Sequence, residues 1–182
     1  INHFNLGTLT RTQGRLKECI THYQKAIELG PNKIHAYHGM VLSLEALGKL
    51  DQAVATYNKA LEISEHSFDV TCSLADVYGK QREFDQAIMY YRRALELKPD
   101  TLEVKMVLAN TLLEAGQAQP AIVQYQSILE RDGNHARAHY WLGKAFSSLD
   151  KLDQAAESYR KALAIKQDSF AATRALADTY YK

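Results

Sequence analysis

Two cysteines and three prolines are all that 182 residues contain of either type, and no apolar run approaches the roughly 18 residues that a bilayer-spanning helix needs. Cys19 and Cys72 cannot supply a disulfide framework, and their spacing fits no zinc or redox motif, so a reducing, cytoplasmic setting is expected. An excess of charge is also missing. With 22 basic and 21 acidic side chains the net charge is +1, which excludes the electrostatic footprint of a general nucleic-acid binder. The opening Ile-Asn-His-Phe has neither a basic n-region nor an apolar h-region, so no secretory signal and no membrane insertion are expected. The chain does not begin with Met, and it reads as a segment of something longer. What remains, 46% apolar and 24% charged residues, suits one folded domain or a short array.

The feature that is present in abundance is recurrence. The segments LDQAVATYNKALEI from Leu50, FDQAIMYYRRALEL from Phe84 and LDQAAESYRKALAI from Leu152 align at offsets of 34 and 68 without a gap. Weaker copies, LKECITHYQKAIEL from Leu16 and AQPAIVQYQSILER from Ala118, fill the other slots of the same register. The predicted organisation is a single array with repeats at 1–33, 34–67, 68–101, 102–135 and 136–169, followed by a partial sixth repeat at 170–182.

Columns counted from Ile34, Phe68, Leu102, Ala136 and Phe170 assign a role to each position. Column 24 is Tyr23, Tyr57, Tyr91, Tyr125 and Tyr159, and column 20 is Cys19 followed by Ala53, Ala87, Ala121 and Ala155. Together with the small and aliphatic residues of columns 27 and 28 they form one apolar helical face, with a large ring set against small neighbours. Column 7 holds Leu6, Met40, Leu74, Leu108, Leu142 and Leu176, and marks an earlier helix in each unit. Gly14, Gly48 and Gly116 stand between the two helices where a left-handed residue is expected. Asn32, Ser67, Thr101, Asn134 and Ser169 are the expected N-caps of the next first helix, and Pro120 suits a first helical turn. Two helices per repeat follow, at about columns 2 to 14 and 18 to 31.

On these residues the chain resembles the tetratricopeptide repeat family, whose 34-residue helix-turn-helix carries Leu-Gly, Tyr, Ala, an aromatic and Pro in fixed columns. In the third repeat the match is Leu74, Ala75, Tyr78, Ala87, Tyr91, Ala94 and Pro99. The departures are at column 4, where the family favours Trp or another bulky residue and this chain has His3, Tyr37, Thr71, Lys105, His139 and Thr173, and at the missing prolines of three column 32 slots. The resemblance implies an all-α, right-handed alpha-alpha superhelical solenoid with a concave groove lined by the first helices. It also implies a protein-interaction scaffold that holds a peptide or extended segment of a protein partner. The alternatives are a regulatory or targeting region of a larger enzyme, and self-association through uncapped ends.

Groove columns carry Arg11, Lys80, Arg137, Lys144, Arg174 and Lys182 against Glu45, Asp69, Asp76, Glu103, Glu114 and Asp178, a mosaic unsuited to tracking phosphates. The two-carboxylate clamp that some family members use for chaperone tails is not reproduced in any window, and column 6 carries no asparagine ladder. His35, His38, Asp69 and Cys72 are metal-ligating types on adjacent first helices, but they match no metal signature, and neither metal nor cofactor is expected. Cys72 with His38 lacks an orienting third group and oxyanion donors, so no catalysis is expected of this segment. Cys19 fits a core column. The expected partner site is an apolar floor of Met106, Val107, Tyr140 and Trp141 bordered by Asn110, Arg137, Lys144 and Arg174.

Overall fold

The computed structural model describes residues 2–181, and every regular element among them is an α-helix. Two compact units divide the chain, residues 1–98 and 99–182. The first contains α1 (His3–Thr12), α2 (Leu16–Glu28), α3 (Ile34–Ala46), α4 (Leu50–Ile63), α5 (Phe68–Lys80) and α6 (Phe84–Leu97). The second contains α7 (Leu102–Glu114), α8 (Ala118–Arg131), α9 (Ala136–Ser148), α10 (Leu152–Ile165) and α11 (Phe170–Tyr180). From α2 onward the helices therefore start one residue earlier in the repeat than the periodicity alone suggests, a shift of the size usual at helix boundaries.

Each helix pair closes on its column 24 tyrosine. Tyr23, Tyr57, Tyr91, Tyr125 and Tyr159 are all buried, each set among small residues such as Ala53 and Ala60 or Ala155 and Ala162. Around Tyr57 the core continues through Val41, Leu44, Val70, Leu74 and Val77. Burying each such aliphatic side chain contributes about 1.5–3 kcal/mol, enough for short helices that would be marginal alone to persist in pairs. Cys19 is fully buried, and its thiol donates to the Ser43 hydroxyl at 3.0 Å, in keeping with a structural thiol.

The turn inside each repeat has one geometry five times over. The amides of Arg15, Lys49, Glu83, Gln117 and Lys151 donate to the carbonyls of Thr10, Leu44, Tyr78, Leu112 and Phe146, five residues back, at 2.8 to 3.0 Å. This is the Schellman closure, which demands a left-handed residue just before the donor. Gly14, Gly48 and Gly116 supply it with φ of 74°, 70° and 77°. Arg82 and Asp150 occupy the same column with φ of 63° and 58° and accept the steric cost that glycine avoids.

The N-caps are corrected in two repeats. Ser67 and Ser169 cap α5 and α11 through their hydroxyls, as expected, and Thr101 stands at the N-cap of α7. The caps of α3 and α9 are Lys33 and His135, one residue after the expected Asn32 and Asn134. His135 serves because its Nδ1 accepts from the Ala138 amide at 3.1 Å, doing what an Asn carbonyl oxygen would do.

Candidate functional site

In residues 99–182 the first helices touch in sequence, α7 on α9 and α9 on α11, more closely than the second helices approach each other. That asymmetry curves the unit toward the first-helix face. On this face an open cleft of about 490 Å³ lies between α9 and α11, with Tyr159 of α10 at its base. Its walls are Tyr140 and Lys144 on one side and Phe170, Arg174 and Asp178 on the other.

Within each unit a column 24 tyrosine buries its ring and sends its hydroxyl toward the first helices of that unit. Tyr23 Oη lies 3.2 Å from Thr8 Oγ1, and Tyr57 Oη lies 2.7 Å from His38 Nδ1. Tyr91 donates to Asp76 at 2.5 Å and Tyr125 to Asn110 Oδ1 at 2.7 Å. Thr8, Asp76 and Asn110 share column 9, so the acceptor is supplied from one recurring position. In the fifth repeat that position is Lys144, whose ammonium has protons to donate and no lone pair to offer. Tyr159 accordingly has no hydrogen-bond partner among the described residues. Burial, then the neighbouring Tyr140 and Asp178, pushes its pKa up to about 12, so the hydroxyl is a neutral donor at physiological pH.

Tyr159 can sit so close to α9 because column 8 is glycine there. A Cβ on Gly143 would fall 2.6 Å from Tyr159 Cε1. Tyr140 stacks at an angle against Tyr159, with ring centroids 5.9 Å apart, and meets Trp141 edge-on at 5.6 Å. Lys144 Nζ lies over the Trp141 ring, 4.4 Å from its centroid. The ammonium is attracted by the negative face of the indole, while the Lys144 side chain also borders the cleft.

The expected site residues are divided by this geometry. Tyr140, Lys144 and Arg174 meet in the cleft, and Trp141 joins them through its contacts with the first two. Met106 is only 5% exposed and packs inside the unit, so it is no part of an accessible floor. Column 5 of α7 turns toward the neighbouring helices, whereas column 6 does not: Val107 remains 38% exposed. Asn110 has its carbonyl oxygen committed to Tyr125, and Arg137 is exposed away from the cleft. Lys182 lies outside the described residues. The residues that sequence reasoning passed over are Tyr159, which its column assigned wholly to the core, and Phe170, which opens α11 at 81% exposure.

In residues 1–98 the same face carries a different chemistry. Lys80 pairs with Glu45 at 2.6 Å, and burial with Asp76 and Asp69 nearby pushes the Cys72 thiol up to about 11, far from a nucleophilic thiolate. Among the described residues no three His, Cys, Asp or Glu side chains are grouped as a metal would require, and no helix is long and apolar enough to cross a membrane.

Tetratricopeptide repeat sequence models match residues 1–66, 33–100, 80–145 and 136–169. The chain belongs to the tetratricopeptide repeat family, and its fold is an all-α helical repeat solenoid. No curated protein matches it significantly. Among solved structures it is similar to YrrB, described as a tetratricopeptide repeat protein with an unusual peptide-binding site, at 26% identity over 95% of this chain and 89% of that one, with a TM-score of 0.78. It is also similar in fold to the MamA protein, at 21% identity over 91% and 90% of the two chains and a TM-score of 0.80. A tetratricopeptide repeat protein from Parabacteroides merdae ATCC 43184 superposes with a TM-score of 0.84 at 16% identity, over 98% of this chain and 71% of that one. Family and fold together support a protein-interaction scaffold.

Proposed function

We propose that the first-helix face of residues 99–182 holds an extended segment of a protein partner, without catalysis. The observation that carries this reading is the open cleft between α9 and α11, where aromatic rings and two cations face solvent together. Apolar rings left at a concave surface gain by being covered, and aromatic anchors beside charges are the composition of interaction hot spots. An extended segment suits the shape, since a groove between parallel helices presents side-chain positions in a line. The peptide-binding site ascribed to YrrB is consistent with such a use of this fold.

Trp141 is the expected anchor, being half-buried with its ring held between Tyr140 and Lys144. Replacing it with Ala should weaken the bound segment by about 2 kcal/mol or more, if the partner desolvates the ring. Affinity by calorimetry and stability by urea titration are to be measured on the same Trp141→Ala sample. Undiminished affinity in a well-folded variant would move the site elsewhere, and a large stability loss would make Trp141 a packing residue.

A further inference from the structure

We propose that the cleft between α9 and α11 recognises an ionised carboxylate, carried by an Asp or Glu of the bound segment, on the Tyr159 hydroxyl, Lys144 and Arg174. This rests on the reading of that face as a segment-binding groove and adds the chemical class of what enters it.

The argument begins with the one break in the tyrosine ladder. Four column 24 hydroxyls are satisfied within the protein, by Thr8, His38, Asp76 and Asn110. The fifth opens into the cleft with a proton and no protein acceptor among the described residues. Lys144, which replaces the acceptor, is itself without a carboxylate partner among those residues and lies over the Trp141 ring. Arg174 is exposed, and its nearest carboxylate, Asp178, is 3.9 Å from Nε, with both side chains largely in solvent. Such a pair holds neither group firmly and leaves the outer guanidinium nitrogens free. Three donors therefore line one cleft, two of them cationic, and the ligand that satisfies all three is an anion with acceptor oxygens.

The cleft also selects among anions. Asp178 contributes a negative charge to the same wall, so Lys144, Arg174 and Asp178 sum to a single net positive charge. A monoanionic carboxylate matches that charge, whereas the dianionic phosphate of a phosphorylated residue would stand against Asp178 with half its charge unmatched. Tyr140 and the outward ring of Phe170 border the donors, so the carboxylate is expected beside a large apolar side chain of the same segment. The arrangement differs from the two-carboxylate clamp, because one of its donors comes from a second helix and it needs no chain terminus.

The experiment selects displayed random peptides on the intact 182-residue chain and then resynthesises the tightest binder, together with versions carrying Gln or phosphoserine at its acidic position. The expected result is enrichment of Asp or Glu beside an aromatic or large aliphatic residue. Changing that acid to Gln should weaken binding roughly tenfold or more, as expected for lost charge-assisted hydrogen bonds. Tyr159→Phe, which keeps the packed ring, should weaken the acidic peptide several-fold and the Gln peptide less, since an amide oxygen accepts a weaker bond than a carboxylate, while Lys144→Gln should discriminate the same way and more strongly. Selected peptides that depend on Trp141 yet ignore both the Gln exchange and Tyr159→Phe would overturn the carboxylate assignment and leave the groove standing. Tighter binding of the phosphoserine version would overturn the choice of anion. Failure to retain any peptide would overturn the groove and the carboxylate together.

Discussion

Tyr91 is held twice, by a ring buried against Ala87 and Ala94 and by a hydroxyl that donates to Asp76 at 2.5 Å. Truncating it to Ala removes both and leaves a void that small neighbours cannot close, so Tyr91→Ala should cost about 3–5 kcal/mol in a denaturant titration. Tyr91→Phe separates the two contributions, since it keeps the ring and loses only the bond to a carboxylate; a cost of about 1–2 kcal/mol is expected. Equal costs for the two variants would mean that the hydroxyl, and not ring packing, dominates this column. At Gly143 the constraint runs the other way. The missing Cβ is what lets Tyr159 lie against α9, so Gly143→Ala should force the ring outward and cost about 1–3 kcal/mol through overpacking, despite alanine's better helix propensity.

At the level of the element, the recurring Schellman turn explains both what the sequence made plain and what it concealed. Glycines in column 15 announced three of the five turns, because a left-handed position is where glycine is cheapest. The turns at Arg82 and Asp150 carry no such residue and were visible only through the register of the repeat. Asp150→Gly should therefore stabilise the α9 to α10 connection by about 0.5–1 kcal/mol, the relief of a left-handed L-residue being offset in part by the greater freedom of glycine in the unfolded chain. A raised urea midpoint at unchanged slope is the expected result, and Asp150→Ala, which lacks the side chain that tolerates this conformation, should lower it. The N-caps were less legible. Asn32 and Asn134 have the right chemistry, yet the chain turns into the helix one residue later, where His135 has a ring nitrogen that accepts the amide and Lys33 has no capping group at all. Cap geometry depends on where the preceding loop ends, and composition does not record that.

Across the whole chain, the helical architecture was readable because it repeats: every column was sampled at least five times, and a single departure could not hide the pattern. The candidate site was readable only in part because a site is made of the departures. Tyr140, Lys144 and Arg174 were recognisable as groove columns, but Tyr159 looked like its four core equivalents until the loss of its acceptor became visible in three dimensions. The same column sets how the molecule responds to alkali. An unfolded tyrosine ionises near 10, whereas burial first, then nearby Glu45 and Asp76 charges, raises Tyr57 to about 12; Tyr159 is raised to about 12 as well, and burial drives Tyr91 and Tyr125 higher still. Below pH 10 both states keep these protons and the tyrosines make stability no function of pH. Above it the unfolded chain binds fewer protons than the folded one, so stability falls as pH rises, and for Tyr57 and Tyr159 the decline ends near 12, where the folded hydroxyls ionise too. Each tyrosine contributes a slope of up to about 1.4 kcal/mol per pH unit in that window. Urea titrations near neutrality and at about pH 11 should therefore show a marked loss at the higher pH, smaller in Tyr57→Phe, where one ionisable ring is gone while lysine titration is unchanged. An identical loss in the wild-type chain and in Tyr57→Phe would show that this hydroxyl is not shielded in the folded state.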